Sequence, residues 1–270
     1  MQGIKEFMPT QKKAKYINTL LNVGFDTVDF GSFVSPKAIP QMRDTEEVLS
    51  LLEIDESSSK LLSIVANKRG AEQAASFDEI QYLGFPFSIS ENFQMRNTHK
   101  TIAESIKVLD QILNIAHKSN KEVVTYLSMG FGNPYGDPWS VGIVSKWTEQ
   151  LSQMGVRILS LSDTIGSATP GDIGYLFSNL IPSYPEIEFG AHFHTIYDAW
   201  YPKIDAAFVS GCRRFDGAIK GYGGCPMAND ELVGNMPTEK LLSYFTSQNT
   251  NTNVKPMSFE SAYNSFLQVF

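Results

Sequence analysis

Glu186-Ile187-Glu188-Phe189-Gly190-Ala191-His192-Phe193-His194-Thr195 alternates apolar and polar side chains, and runs on through Ile196-Tyr197-Asp198-Ala199-Trp200. Period-2 alternation reads as a β-strand, with Ile187, Phe189, Ala191 and Phe193 on one face and Glu188, Gly190, His192 and His194 on the other. Histidines at i and i+2 have Cβ atoms roughly 7 Å apart, at about 3.3 Å of rise per residue, so both rings can converge on one ion. The chain holds four histidines in all, and two of them share this face. The pair suits a metal site, and it equally suits two hydrogen-bonded histidines near a strand end. The flanking chain has to decide.

Outward from this strand, helical and strand patterns alternate in both directions. Ala14, Ile17, Leu20 and Leu21 recur at helical spacing until Gly24, and the strand Thr27–Phe33 follows. Helix-like Thr45–Leu52 leads to the strand Leu61–Ala66, helix-like Gly70–Ala75 to the strand Ile80–Phe87, and helix Thr101–Ser119 to the strand Glu122–Met129. Helix Trp139–Met154 precedes the strand Arg157–Ser162, helix Asp172–Leu180 precedes the histidine strand, and helix Ile204–Val209 precedes the strand Arg213–Ala218. Helices Glu239–Ser247 and Ser258–Gln268 close the chain. This alternation predicts right-handed βαβ units around a parallel sheet.

Polar residues recur where the strands finish: Asp29, Ser128, Asp163, His194 and Asp216. That favours a TIM-type (β/α)8 barrel over a doubly wound sheet, because barrel sites lie at the C-terminal ends of the strands. The pattern contains seven strands, and a closed barrel needs eight. The expectation is a barrel with strand 1 missing. No linker, charge block or low-complexity tract interrupts residues 1–270, so a single barrel domain is expected, with C-terminal helices from about residue 239.

Composition limits the function classes. A hydrophobic content of 42% and a charged content of 19% describe an ordinary globular chain. The formal charge of −7 argues against general nucleic-acid binding, which needs a basic surface. No apolar run approaches the ~18 residues of a membrane span. The two cysteines, Cys212 and Cys225, make no disulfide framework, and Met1–Glu6 has no signal-peptide character; a cytoplasmic protein with reduced thiols is expected.

Several residues are equipped for chemistry. Asp163 ends a strand in Ser160-Leu161-Ser162-Asp163-Thr164-Ile165-Gly166. It could orient a metal-bound water, bond a ligating histidine, carry a proton, or simply tie down its loop. Thr169 and Pro170 then read as the N-cap and first turn of a helix. Gly221-Tyr222-Gly223-Gly224-Cys225-Pro226 is a glycine-rich loop that could deliver the Cys225 thiol to a substrate, or be an ordinary turn. Asn235 offers a hard amide oxygen suited to Mg²⁺ or Mn²⁺, or a helix cap. Asp29 is an inward carboxylate in an otherwise apolar alternation.

Four segments together resemble one family: His192-Phe193-His194; Ser162-Asp163-Thr164-Ile165-Gly166 followed by Pro170-Gly171; Gly223-Gly224-Cys225-Pro226; and Ser32-Phe33-Val34-Ser35-Pro36-Lys37. The sequence resembles hydroxymethylglutaryl-CoA lyases, within the metal-dependent barrel lyases and synthases, from Gln2 to about Leu242. The resemblance implies a divalent cation, Mg²⁺ or Mn²⁺, held by His192, His194 and Asn235. It implies that Cys225 lies on a loop closing over an acyl-CoA substrate, with Asp29 and Asp163 in the pocket. The implied reaction is a retro-aldol cleavage to acetyl-CoA and acetoacetate. Family members carry Arg-Asp-Gly-Leu-Gln at the end of strand 1, supplying a metal ligand and an arginine. Here Gln2-Gly3 matches only its last part, which agrees with the seven-strand pattern and implies a late start. Thr195-Ile196-Tyr197-Asp198 also departs from the family pattern. A Claisen-type synthase, or an impaired barrel that binds acyl-CoA without turnover, are the competing readings. Open sheet edges predict a homo-oligomer.

Overall fold

The computed structural model describes residues 1, 4, 6–224 and 233–270. The seven strands are β1 (Thr27–Ser32), β2 (Lys60–Ile64), β3 (Ile80–Ser88), β4 (Glu122–Ser128), β5 (Ile158–Asp163), β6 (Glu188–Phe193) and β7 (Arg214–Phe215). They form one sheet in sequence order, and every neighbouring pair is parallel. Helices α1 (Thr10–Leu21), α2 (Thr45–Ser50), α3 (Lys68–Ala75), α4 (Glu91–Thr98), α5 (Ile102–Lys118), α6 (Val141–Gln153), α7 (Pro170–Ser183) and α8 (Tyr201–Val209) form the crossovers. After β7 come α9 (Thr238–Ser247) and α10 (Pro256–Val269).

Among the described residues the sheet curls into a barrel one strand short of eight, as the alternation predicts. Asp216, just past β7, lies close enough to β1 for its charge to act on Asp29. Leu62, Tyr82, Val124 and Ile158, one each from β2, β3, β4 and β5, pack together as a cluster of their own, which fills part of the lumen. Leu61, Leu83, Leu127, Leu159, Leu161, Phe189 and Phe193 belong instead to the core between the strands and the helices. Successive side chains alternate between these two sides, as a pleated strand requires. Hence Ser160, Ser162, Gly190 and His192 share the lumen side with Ile158.

Two elements differ from the sequence pattern. Helix α4 has no apolar stripe; it is fixed at its start by Ser90, whose side chain accepts from Phe93 N–H, and by Gln94, whose Oε1 accepts from Ser88 N–H at 2.7 Å. Strand β7, expected over Arg213–Ala218, is two residues long. Beyond it Asp216 N–H donates to Ala191 O at 3.1 Å, but Ala218 N–H turns to Met236 O at 2.9 Å, leaving the sheet for the segment that carries Asn235. Thr169 caps α7 with Pro170 in its first turn, as expected.

Candidate active site at the C-terminal mouth of the barrel

His192 projects from β6 into the lumen, and His194 follows just past the strand end; their ring centroids lie 5.5 Å apart. His194 pairs with Asn235 in an isolated antiparallel bridge. Gly221 makes this approach possible: at φ +64, a Cβ built there would stand 2.6 Å from Asn235 O, and one at Gly234 would stand 2.9 Å from Gly221 O. Asn235 Nδ2 donates to Tyr222 O at 3.1 Å, which leaves Oδ1 as the amide atom available to a ligand.

Each imidazole is anchored on one side. His192 Nδ1 lies 3.0 Å from Asp216 Oδ2, and the Tyr126 ring meets His192 edge-on at 5.2 Å. His194 is buried and bonds the backbone of Thr164; desolvation, reinforced by His192, lowers its pKa to about 3. It is therefore neutral at any physiological pH, with one ring nitrogen free for a ligand. Two imidazoles and an amide oxygen form a mixed donor set for a divalent cation, with positions left for other oxygens. Among the described residues no group of three or more His, Cys, Asp or Glu side chains converges on one point, so any such site depends on the amide of Asn235.

Asp29 also faces the lumen. It pairs in register with Leu62 of β2 and is open to solvent, yet protein surrounds it on the longer range that governs desolvation. That enclosure raises its pKa to about 7, with the Met1 amino group and His192 opposing the shift and Asp216 adding to it.

Asp163 occupies the opposite face. It is 1% exposed, its Oδ2 takes a 2.5 Å ion pair from Lys203 Nζ of α8, and its Oδ1 accepts from Ala168 N–H at 3.1 Å. Burial raises its pKa, opposed by Lys203. Lys203 Nζ also donates to Gly166 O at 2.8 Å and His194 O at 3.1 Å, tying the ends of β5 and β6 together from behind. The fold therefore gathers His192, His194, Asn235 and Asp29 around the lumen and sets Asp163 behind it. Cys225 lies outside the described residues. Cys212 is a core residue, its thiol pushed up to about 12 by burial.

The profile of the family described as HMGL-like matches residues 1–265. The chain belongs to the HMGL-like family. This HMGL-like chain is 32% identical over 255 residues to hydroxymethylglutaryl-CoA lyase YngG of Bacillus subtilis, covering 94% of itself and 84% of that protein. Its fold matches an HMG-CoA lyase from Acinetobacter baumannii solved in complex with coenzyme A and 3-methylmalate (TM-score 0.91, 28% identity, 99% of this chain and 87% of that one). It matches the Bacillus subtilis HMG-CoA lyase structure equally well (TM-score 0.91, 31% identity, 99% and 89%).

Three residues at or behind the candidate site were not assigned from the sequence, although one of them had a usable signal. Asp216 is visible as a polar strand end, but its bond to His192 is not. Tyr126 reads as an ordinary strand aromatic. Lys203 had a usable signal: it falls on the same helical face as Ile204 and Ala207, all three buried, and a lysine on a buried face needs a partner.

Proposed function

We propose that this chain is a divalent-metal-dependent carbon–carbon lyase that cleaves 3-hydroxy-3-methylglutaryl-CoA, or a closely related 3-hydroxyacyl-CoA, to acetyl-CoA and acetoacetate. The observation that carries the reading is the bridge between His194 and Asn235, which brings the backbone of an amide-bearing residue against that of the second histidine in a barrel of the HMGL-like family. A divalent cation, when bound there, supplies Lewis acidity toward the substrate's hydroxyl and carboxylate oxygens.

The remaining chemistry falls to the chain. His192 and His194 would each offer the ring nitrogen that Asp216 or the Thr164 backbone does not engage. Asp29, with a pKa of about 7, can take or return a proton at neutral pH. In the reaction a base removes the tertiary hydroxyl proton and the adjacent carbon–carbon bond breaks. Its electron pair passes to the thioester enolate as the ketone of acetoacetate forms, and a proton delivered to the enolate carbon completes acetyl-CoA. Cys225 is the proposed donor of that proton. Asp163 and Lys203 have a different part: they hold the strand ends that carry the site.

No helix among the described residues is long and apolar enough to cross a membrane; the cytoplasmic location and the acyl-CoA substrate are parts of the same proposal. Among the described residues β1 and β7 each have one paired neighbour, and a homo-oligomer is the expected state; a monomer in light scattering would contradict it.

The test is Mn²⁺- or Mg²⁺-dependent release of acetoacetate from hydroxymethylglutaryl-CoA. It should be run on this chain and on a form extended upstream through an Arg-Asp-Gly-Leu-Gln strand. Activity in either form, lost by 10²-fold or more in His194→Ala, supports the lyase. Metal binding with no cleavage in either form overturns it in favour of a barrel that binds without turnover.

A further inference from the structure

We propose that Asp216 is a positioning residue for His192, holding its Nδ1–H so that Nε2 is the ring nitrogen offered to a divalent cation. The proposal rests on the metal site proposed above. It starts from the 3.0 Å separation of His192 Nδ1 and Asp216 Oδ2. An ionised carboxylate only accepts, so in a neutral imidazole bonded to it the proton sits on Nδ1 and the lone pair on Nε2. The same arrangement, a carboxylate behind a histidine, fixes ring orientation and tautomer and raises ligand basicity wherever imidazole binds a metal.

The surroundings hold both partners. Asp216 N–H donates to Ala191 O at 3.1 Å, which ties the backbone of Asp216 to the residue next to His192. Ser160 Oγ lies 3.5 Å from the same Oδ2, and Tyr126 stands edge-on to the imidazole. Gly190 keeps the space below open, since a Cβ there would stand 3.0 Å from Ser160 Oγ and 3.1 Å from Arg214 Cδ. The guanidinium of Arg214, two residues before Asp216, pairs with Glu188 at 3.1 Å and places positive charge near the Asp216 carboxylate. His194 is anchored by the backbone instead. Among the described residues, His192 is therefore the one of the two histidines that depends on a side chain that substitution can remove.

Two readouts separate this role from a merely structural one. In the metal-free protein labelled with ¹⁵N-histidine, long-range ¹⁵N–¹H spectra should give the Nδ1–H tautomer at His192, and Asp216→Ala should convert it toward Nε2–H. Mn²⁺ affinity, followed by electron paramagnetic resonance of the free ion, should fall 10–100-fold in Asp216→Ala. Asp216→Asn keeps the shape and guards against loss of folding. Its amide can donate to Nδ1, so it should weaken binding in the same direction, while Thr169→Ala should leave Mn²⁺ affinity unchanged. An unchanged tautomer and unchanged affinity in both Asp216 variants would overturn the inference and leave the metal site standing. No Mn²⁺ binding by the unsubstituted protein, with a tautomer that still depends on Asp216, would overturn the metal reading instead.

Discussion

Asp163 and Asp216 stand at the ends of strands in the same sheet, on opposite sides of it. Asp163 shares its side with Leu159 and Leu161, is closed off from solvent, and spends both oxygens on Lys203 and Ala168 N–H. Asp216 opens onto the lumen, with its side chain 28% exposed, and reaches His192. One carboxylate braces the scaffold and the other addresses the site. Strand parity decides which, because a shift of one residue carries a side chain from one face to the other.

The helix-side half of this comparison should break with the largest effect. Lys203→Met leaves Asp163 buried without its partner, and should cost about 3–5 kcal/mol in urea unfolding. The double variant Asp163→Leu/Lys203→Met should recover much of that loss, because no lone charge is left behind. A loss of under 1 kcal/mol in Lys203→Met would mean that the pair braces nothing. Next in size is Thr169→Ala, which removes the α7 cap accepting from Asp172 N–H and should cost about 1 kcal/mol. The cap is not among the residues gathered at the lumen, so acetoacetate release should survive it.

The lumen side is read through pH instead of through a lost contact, and solvent at the exposed Asp29 reduces the effect. Asp29 has a folded pKa of about 7, above the usual carboxylate value. Between those two values the folded chain binds more protons than the unfolded one, so this group's contribution makes stability fall as pH rises through that window. Asp29→Asn should flatten the fall, read as urea midpoints at pH 5 and pH 8 that move closer together. A pH dependence identical to that of the unsubstituted chain would show that Asp29 titrates normally.

The βαβ alternation, the seven strands and the position of both histidines were legible in the sequence, because period-2 and period-3.6 patterns are local properties. The lumen direction of Asp29 was legible for the same reason. Helix α4 was not, since its stability comes from a cap and from Gln94 reaching back to β3 rather than from an apolar stripe. The shortness of β7 was hidden as well: Arg213–Ala218 has strand character throughout, but Ala218 finds its partner in Met236, a residue that no local pattern connects to it.

The site divides in the same way. Local sequence placed His192 and His194 on one strand face and marked Asn235 as an amide able to ligate. Only the closed fold brought Asn235 against His194 across forty-odd residues of chain, through backbones that Gly221 and Gly234 allow to touch. The sequence by itself determined which side of the sheet each residue faces, since alternation is set by the pleat of the strand. The tertiary structure alone decided that the helix-side carboxylate finds Lys203 and the lumen-side one finds His192, because those partners come from different elements whose approach depends on the curl of the whole sheet.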